Sequence, residues 1–251
     1  MATNVGHSLR SSAVLAAISS ASTRTALRRA LLPPIGLAAL AVWLHVGGLD
    51  RQVADSLFDA SSGVFPWRAD RLLELIGHGL AKSAVLLLWC CMVAGAIGTA
   101  RVPQLRPYAR VLWSIAAAMA LGPIIIVVLK EVTTFPCPWN LDRYGGFTPA
   151  PDHWFTVPAN AGKCFPAGHS AGGFSLVAFY FAALAMGHRR LAVVILIAAL
   201  AAGSAFSLVR VLQGAHFPSH AVWAAAIDWL AAGLVFVPLM SGGARRPGNA
   251  R

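Results

Sequence analysis

Six stretches of the chain consist almost entirely of apolar residues, and each is about 20 residues long, the length at which a helix crosses a bilayer. They are residues 31–48, 80–100, 111–129, 170–187, 191–209 and 221–240. Only 12% of all residues are charged, compared with about 25% in an average soluble domain. The sequence therefore predicts an all-α fold, a six-span transmembrane helical bundle embedded in a lipid bilayer.

The chain contains no internal repeat and no linker that would separate two domains, so residues 30–240 are predicted to form one membrane-embedded domain. Residues 1–29 are interpreted as a basic tail or a weakly amphipathic helix, and residues 241–251 as a basic C-terminal tail. The apolar run 13–18 is too short for a cleaved signal peptide. In segment 49–79, the apolar spacing indicates one or two interfacial helices that cover the bundle on its outer face.

The distribution of charge between the loops predicts the orientation of the spans, because Lys and Arg of short loops stay on the cytoplasmic side. One side carries many arginines and no acidic residue: Arg10, Arg24, Arg28, Arg29, Arg101, Arg106, Arg110, Arg189, Arg190, Arg245, Arg246 and Arg251. The other side contains the segments 49–79, 130–169 and 210–220, where nearly all acidic residues lie. We therefore expect both termini in the cytoplasm and these three segments outside.

A net charge of +11 is also compatible with a nucleic-acid-binding protein. However, the basic residues are spread over several loops and both tails, and they do not form one stripe with interleaved aromatic residues. We therefore predict the bilayer as a partner, and no nucleic acid. No obligate protein partner is evident from the sequence.

Three short motifs lie at the ends of spans on the predicted outer side. Lys130 precedes the pair Cys137-Pro138, residues 166–169 read Pro-Ala-Gly-His, and Arg210 precedes His216 by six residues. Two imidazoles and two long cations are the groups needed to transfer a phosphoryl group to a side chain. Lys130 or Arg210 alone would fit a cation that snorkels to the interface, but together with the histidines they indicate a phosphate site.

In this order, and on one face of a six-span bundle, the motifs resemble those of the type 2 phosphatidic acid phosphatase superfamily, over roughly residues 49–240. The loop that begins Cys-Pro-Trp and continues Arg-Tyr-Gly-Gly resembles a bacterial branch. The resemblance implies a lipid phosphate phosphatase of the bacterial inner membrane with its site facing the periplasm. It also implies that the reaction requires no metal and no other cofactor.

The resemblance assigns a role to each residue that matches a family motif. His216 is the expected nucleophile, which forms a phosphohistidine, and His169 is the general acid that protonates the leaving oxygen. Lys130 and Arg210 are expected to bind the non-bridging phosphate oxygens. The backbone N–H of Gly168, where the fourth span opens, is expected to add to this phosphate-binding site.

The first departure from the family pattern is Cys137, which stands where the family has an arginine before the proline. Arg143, six residues further on, is the predicted replacement in binding the substrate phosphate. In the alternative interpretation, Arg143 pairs with Asp142 or Asp152 and only orders the outer loop.

The second departure is His220, which occupies the place of the carboxylate that follows the nucleophile by four residues and orients it. A neutral His220 can accept a hydrogen bond from His216, but it stabilises a cationic imidazole less than an aspartate does. Asp228, two turns further on, either supports His220 or makes a polar contact between spans. Ala167 and Val209 replace family serines, which removes two minor hydrogen bonds.

Two of the four cysteines, Cys137 and Cys164, lie in the outer loop, and the other two lie inside the second span. We predict a disulfide between the outer pair, which would stabilise the protein by about 3 to 4 kcal/mol in an oxidising compartment. The alternative is a zinc site formed by this pair with His153 and His169, although the spacings fit no usual zinc pattern.

The outer loop 138–165 combines aromatic and basic residues, a mixture typical of the headgroup region. It fits an aromatic belt, and it also fits a wall of the passage through which a lipid headgroup reaches the site. The predicted activity is hydrolysis of the phosphomonoester or pyrophosphate of a membrane lipid. Lipid A, undecaprenyl and glycerolipid phosphates are all admissible, and the resemblance favours the first two. The alternatives are a lipid phosphotransferase and a lipid-phosphate binding or transport protein without turnover.

Overall fold

The computed structural model describes residues 21–133, 135–150 and 162–242. These residues contain nine α-helices: α1 (Ala21–Val46), α2 (Leu49–Leu57), α3 (Arg71–Glu74), α4 (Ala81–Gly98), α5 (Ala109–Thr133), α6 (Gly168–Phe174), α7 (Val177–Ala185), α8 (Arg189–Leu212) and α9 (Pro218–Ser241). A π-helical turn, Leu75–Leu80, joins α3 to α4. Short 3₁₀ helices cover Pro103–Tyr108, Pro138–Asn140 and Asp142–Tyr144.

Six helical segments are long and apolar enough to cross a membrane, which confirms the predicted six-span bundle. They contain α1, α4, α5, the pair α6 and α7, α8, and α9. Much of their surface is apolar and exposed, as at Leu87 of α4 and Ile197 of α8, which are 66% and 64% exposed. In a bilayer such side chains face lipid tails, so their exposure carries no penalty.

The first span begins earlier than the sequence predicts. Residues 21–29, interpreted from the sequence as part of a basic tail or a weakly amphipathic helix, form the first turns of α1, and Ala26 and Ala30 are buried there. The indole Nε1 of Trp229 in α9 donates a hydrogen bond to the carbonyl of Arg29 at 2.9 Å. These turns contain charged residues, so the apolar run in the sequence begins only after them. Packing against α9 holds the turns in place.

Helix α9 is central to the bundle, because it packs against α1, α5, α6 and α7. Small residues allow the helices to approach closely. A Cβ added to Gly233 of α9 would lie 2.7 Å from the Cβ of Ala30, and one added to Gly173 of α6 would lie 2.6 Å from the Cα of Gly203 in α8. These close contacts fix the helix positions on which the outer ends depend.

The segment between the first two spans contains one interfacial helix, α2, which buries Asp50 and Ala54. The second apolar stretch of this segment, in residues 71–80, does not form a separate interfacial helix. Asp70 caps α3 by accepting a hydrogen bond from the backbone N–H of Leu73 at 2.8 Å, and α3 continues through the π-helical turn into α4. This stretch is therefore the N-terminal end of the second span.

A small aromatic core lies among the loops at the site end of the spans and is separate from the core of the bundle. Its buried members are Ala54, Phe65, Phe135, Leu141, Tyr144, Phe165 and Phe217. The ring of Phe65 makes contacts with Phe58 and Tyr144 at centroid distances of 5.4 and 5.5 Å. This core holds the loops that follow α2 and α5 against the start of α9.

Candidate active site

The corner between α8 and α9 brings Arg210 and His216 together. The backbone N–H groups of Ala215 and His216 both donate to the carbonyl of Arg210, at 2.9 and 3.3 Å. Gly214 has a φ of +71°, and a Cβ there would overlap the ring of Phe65. Glycine is therefore required at position 214 for two reasons: its backbone conformation is left-handed, and there is no space for a Cβ.

Backbone hydrogen bonds connect the three motifs to one another. The N–H of Trp139, in the first motif, donates to the carbonyl of Gly214 at 3.0 Å. The N–H of Ala167, in the second motif, donates to the carbonyl of His220 at 3.2 Å. The hydroxyl of Thr133 at the end of α5 donates to the carbonyl of Phe165 at 2.7 Å. The ends of α5, α6, α8 and α9 are thereby held as one unit.

Lys130 lies in the last turn of α5, and its side chain is directed to the start of α6. A Cβ added to Gly168 would lie 3.5 Å from Nζ of Lys130. The ammonium group is therefore close to the backbone at which α6 begins, one residue before His169. The structure thus brings the cation of the first motif to the histidine of the second.

Arg210 lies at the end of α8 with only 12% of its side chain exposed. Its Nη1 donates to Oε1 of Gln213 at 2.8 Å and lies 3.7 Å from Oε2 of Glu74. The guanidinium carbon is 5.6 Å from the ring centroid of Trp139, which also contacts Arg68 at 4.9 Å. Arg210 is therefore held at the site by one neutral acceptor, one distant carboxylate and an aromatic face.

His216 is 4% exposed and lies between the ends of the spans. Burial holds the pKa of its imidazole well below the usual value, and the positive charges of His220, Lys130, Arg210 and His169 lower it further. These cations belong to all three motifs, which backbone hydrogen bonds hold at the same ends of the spans as His216. At neutral pH His216 is the free base, the form in which an imidazole is a nucleophile.

The ring of His220 is fully buried and makes edge-on contacts with three phenylalanines. The centroid distances are 5.3 Å to Phe135, 5.2 Å to Phe165 and 5.4 Å to Phe217. Its centroid is 5.9 Å from that of His216, and no direct hydrogen bond joins the two imidazoles in the part of the chain described. The aromatic contacts fix the ring of His220 beside His216. The role of His220 in orienting His216 stays a prediction.

Asp228 lies deeper in α9 and is 1% exposed. It packs against α5 at Gly122, where an added Cβ would overlap its carboxyl group. Of the two interpretations for Asp228, this position favours a contact between spans over support of His220.

The structure places Arg143 in an ion pair with α2. Nε and Nη2 of Arg143 donate to the two carboxylate oxygens of Asp55 at 2.8 and 2.7 Å, and the hydroxyl of Tyr144 donates to Oδ1 of Asp55 at 2.9 Å. The carboxylate of Asp142 accepts from the backbone N–H of Arg143 and not from its guanidinium, and Asp152 lies outside the described residues. The expectation that Arg143 replaces the family arginine is therefore corrected, because its fork already binds a carboxylate.

Cys137 and Cys164 are joined by a disulfide in the structure, with their Cα atoms 5.1 Å apart. The alternative zinc site needs both sulfurs as thiolates and is not compatible with this bond. His153 lies outside the described residues, as do Trp154 and Phe155 of the same loop. Within the described ranges, no three His, Cys, Asp or Glu side chains are grouped so that they could hold a metal ion.

Sequence reasoning missed two polar residues at the site, Asp50 and Gln213. Gln213 follows Arg210 by three residues on the same helix face, a spacing that could have indicated the contact. Asp50, in the first turn of α2, accepts a hydrogen bond from the backbone N–H of Ser219 at 2.9 Å. No local pattern connects these two residues, which are 169 positions apart in the chain.

Comparison with known proteins identifies the family of this chain. The family model of the PAP2 superfamily matches residues 111–239, about half of the chain, and this range includes all three motifs. The lipid A 4'-phosphatase of Francisella tularensis subsp. novicida (strain U112) is 25% identical over 196 residues, which cover 75% of this chain and 85% of that protein. No solved structure gives a significant match. With six apolar spans and the three motifs gathered around His216, this multi-pass membrane protein belongs to the PAP2 superfamily.

Proposed function

We propose that this protein hydrolyses the phosphate ester of a membrane lipid through a phosphohistidine intermediate on His216. One observation carries the proposal: the buried His216 lies at a corner where backbone hydrogen bonds join all three motifs, so that Lys130, His169 and Arg210 are brought to the same end of the bundle. Such a group of cations binds a phosphoryl group, and the imidazole is positioned to attack it. Membership in a phosphatase superfamily agrees with this chemistry.

In the first step, a ring nitrogen of His216 forms a bond to phosphorus while the bond from phosphorus to the lipid oxygen breaks. His169 donates a proton to the leaving oxygen. Lys130 and Arg210 neutralise the charge on the non-bridging oxygens, and the N–H of Gly168 adds a neutral donor. In the second step, water attacks phosphorus, His169 accepts its proton, and inorganic phosphate leaves the regenerated His216.

An apolar cavity supports a lipid as the substrate. It has a volume of about 420 Å³ and lies between α1, α5 and α9, where Val42, Leu129 and Ile227 contribute to its walls. Phe165 and Pro166, just before the second motif, also line it. A hydrocarbon chain of the substrate fits this cavity while the headgroup occupies the phosphate site, with the site at the outer face of the membrane.

Lipid A phosphate is the first substrate to test, because the relative from Francisella is a lipid A 4'-phosphatase. The sequence resemblance to a bacterial branch with the Cys-Pro-Trp motif adds undecaprenyl phosphates, and glycerolipid phosphates complete the panel. We place the protein in the inner membrane of a bacterium, with both termini in the cytoplasm.

The test is phosphate release by the purified protein in detergent from these three lipid classes, with EDTA present throughout. We expect release that resists EDTA and that falls below detection in His216→Ala. The matched control is His188→Ala, because His188 is an exposed histidine at the opposite end of α8 from Arg210. This control should retain full activity.

The same assay separates the remaining alternatives. Retained release in folded His216→Ala would contradict the phosphohistidine mechanism. Transfer of labelled phosphoryl to a second lipid without release to water would identify a phosphotransferase. Lipid-phosphate binding by the wild type without any turnover would identify a binding protein.

A further inference from the structure

We propose that Asp50 is a positioning residue for His216, a carboxylate supplied by α2 that performs the orienting role left open by His220. This inference rests on the proposed phosphohistidine mechanism. In the family pattern, the carboxylate lies four residues after the nucleophile, on the same helix. In this protein the charge would come instead from a helix that lies outside the three motifs.

The carboxylate of Asp50 is buried against the first turn of α9. Asp50 is only 2% exposed, and its Oδ1 accepts a hydrogen bond from the backbone N–H of Ser219 at 2.9 Å. Its Oδ2 accepts from the hydroxyl of Ser219 and lies 3.3 Å from Nδ1 of His45 in α1. A carboxylate at this position caps a helix N-terminus, and it fixes the turn that leads from His216 into α9.

Asp50 is ionised although it is buried. Burial opposes ionisation, but hydrogen bonds from His45 and Ser219 outweigh it and hold the pKa of Asp50 below its usual value. His220 directly follows Ser219, so its imidazole is the next side chain after the one that binds Asp50. His45 from α1 and His220 from α9 are thus the titratable groups that face this carboxylate.

The reaction needs a negative charge near His216, because the attacking imidazole becomes cationic when its nitrogen bonds to phosphorus. The cations that bind the phosphate surround His216, and His220 has no negative charge of its own. His220 lies between the two groups: its ring centroid is 5.9 Å from that of His216, and it directly follows Ser219, whose N–H and hydroxyl bind Asp50. Asp50 is therefore a carboxylate able to compensate the developing charge, acting through His220 and through the turn at Ser219.

A helix cap without an electrostatic role is the competing explanation, and Asp50→Asn separates the two. Asparagine caps helices about as well as aspartate and can still accept the hydrogen bond from Ser219, but it has no negative charge. We expect Asp50→Asn to lower kcat by about 10²-fold with little change in KM and in the thermal unfolding midpoint. The matched control is Asp59→Asn, because in the described part of the chain the Asp59 carboxylate accepts its hydrogen bonds from Ser61 and Ser62 of its own loop.

The decisive variant moves the charge to the family position. The double variant Asp50→Asn with His220→Asp should recover at least about tenfold of the kcat lost in Asp50→Asn, because the carboxylate then lies beside His216. Wild-type kcat in folded Asp50→Asn, or a double variant no more active than Asp50→Asn, would overturn the proposal. An active His216→Ala would instead contradict the mechanism itself, so the two failures are distinguishable.

Discussion

Two arginines at the end of the bundle that carries the candidate site, Arg210 at the α8–α9 corner and Arg143 in the loop after α5, have opposite environments. The side chain of Arg210 is 12% exposed and donates to the neutral amide of Gln213, whereas that of Arg143 is 58% exposed and binds both oxygens of Asp55. A guanidinium whose fork already holds a carboxylate has little left for a phosphate. A cation near the candidate phosphate site can therefore bind phosphate only if no carboxylate already occupies it, and Arg210 meets this condition better than Arg143 does.

The largest expected effect tests this difference directly. Arg210→Ala should lower kcat/KM for phosphate release by about 10³-fold, because a donor to the transferring phosphoryl group is lost. Arg143→Ala should change it by less than about threefold, since its partner is Asp55 and not the substrate. A folded Arg143→Ala variant as inactive as Arg210→Ala would show that the loop rearranges when substrate binds.

The second prediction concerns Lys130 and the pH dependence of the reaction. The pKa of His216 is held well below its usual value by burial and then by nearby cations including Lys130, so activity should persist below about pH 6.5. Removing one positive charge with Lys130→Met raises the pKa of His216. The acidic limb of kcat/KM should therefore move to higher pH, with a rate loss of about 10²-fold.

The control for this prediction is Lys163→Met, because Lys163 pairs with Glu131 in the outer loop and is exposed. Its acidic limb should coincide with that of the wild type. An unchanged limb in Lys130→Met would show that the charge of Lys130 does not reach His216.

The third prediction concerns the disulfide that ties the first-motif loop to the second motif. Replacing Cys137 and Cys164 by serine should lower stability by about 3 to 4 kcal/mol and reduce activity more modestly than Arg210→Ala does. Thiol labelling of the unfolded wild-type protein should show two additional labels only after reduction. Four labels before reduction would rule the disulfide out.

The smallest expected effect belongs to the pair that holds Arg143. Asp55→Asn should leave kcat within about twofold of the wild type and slightly lower the unfolding temperature at neutral pH. The hydrogen bond from Arg143 lowers the pKa of Asp55, so this stabilisation is present above the usual pKa of an aspartate and is lost as the pH falls through the lowered value. The wild type and the variant should therefore converge in acid, and a constant difference at every pH would contradict the ion pair.

Sequence patterns predicted well those features that depend on neighbours in the chain. The six spans follow from apolar runs, and the residues around His216 follow from motifs at the ends of those runs. The boundaries were less accurate where another helix stabilises charged turns, as at the start of α1 against Trp229. The same limit applies to residues 71–80, where a cap and a π-helical turn extend the second span.

The sequence by itself determined the membrane bundle and the residues of the candidate site, which are two histidines, a lysine and an arginine at span ends. Both can be recognised from short stretches of the chain, because the thickness of the bilayer sets the length of each apolar run and each motif spans only a few residues. Only the tertiary structure decided which partners these groups have. Arg143 binds Asp55 across 88 positions and Asp50 binds Ser219 across 169, pairings set by how α2 packs on the outer ends of the spans. Such contacts follow from the packing of whole helices, and no local periodicity encodes them.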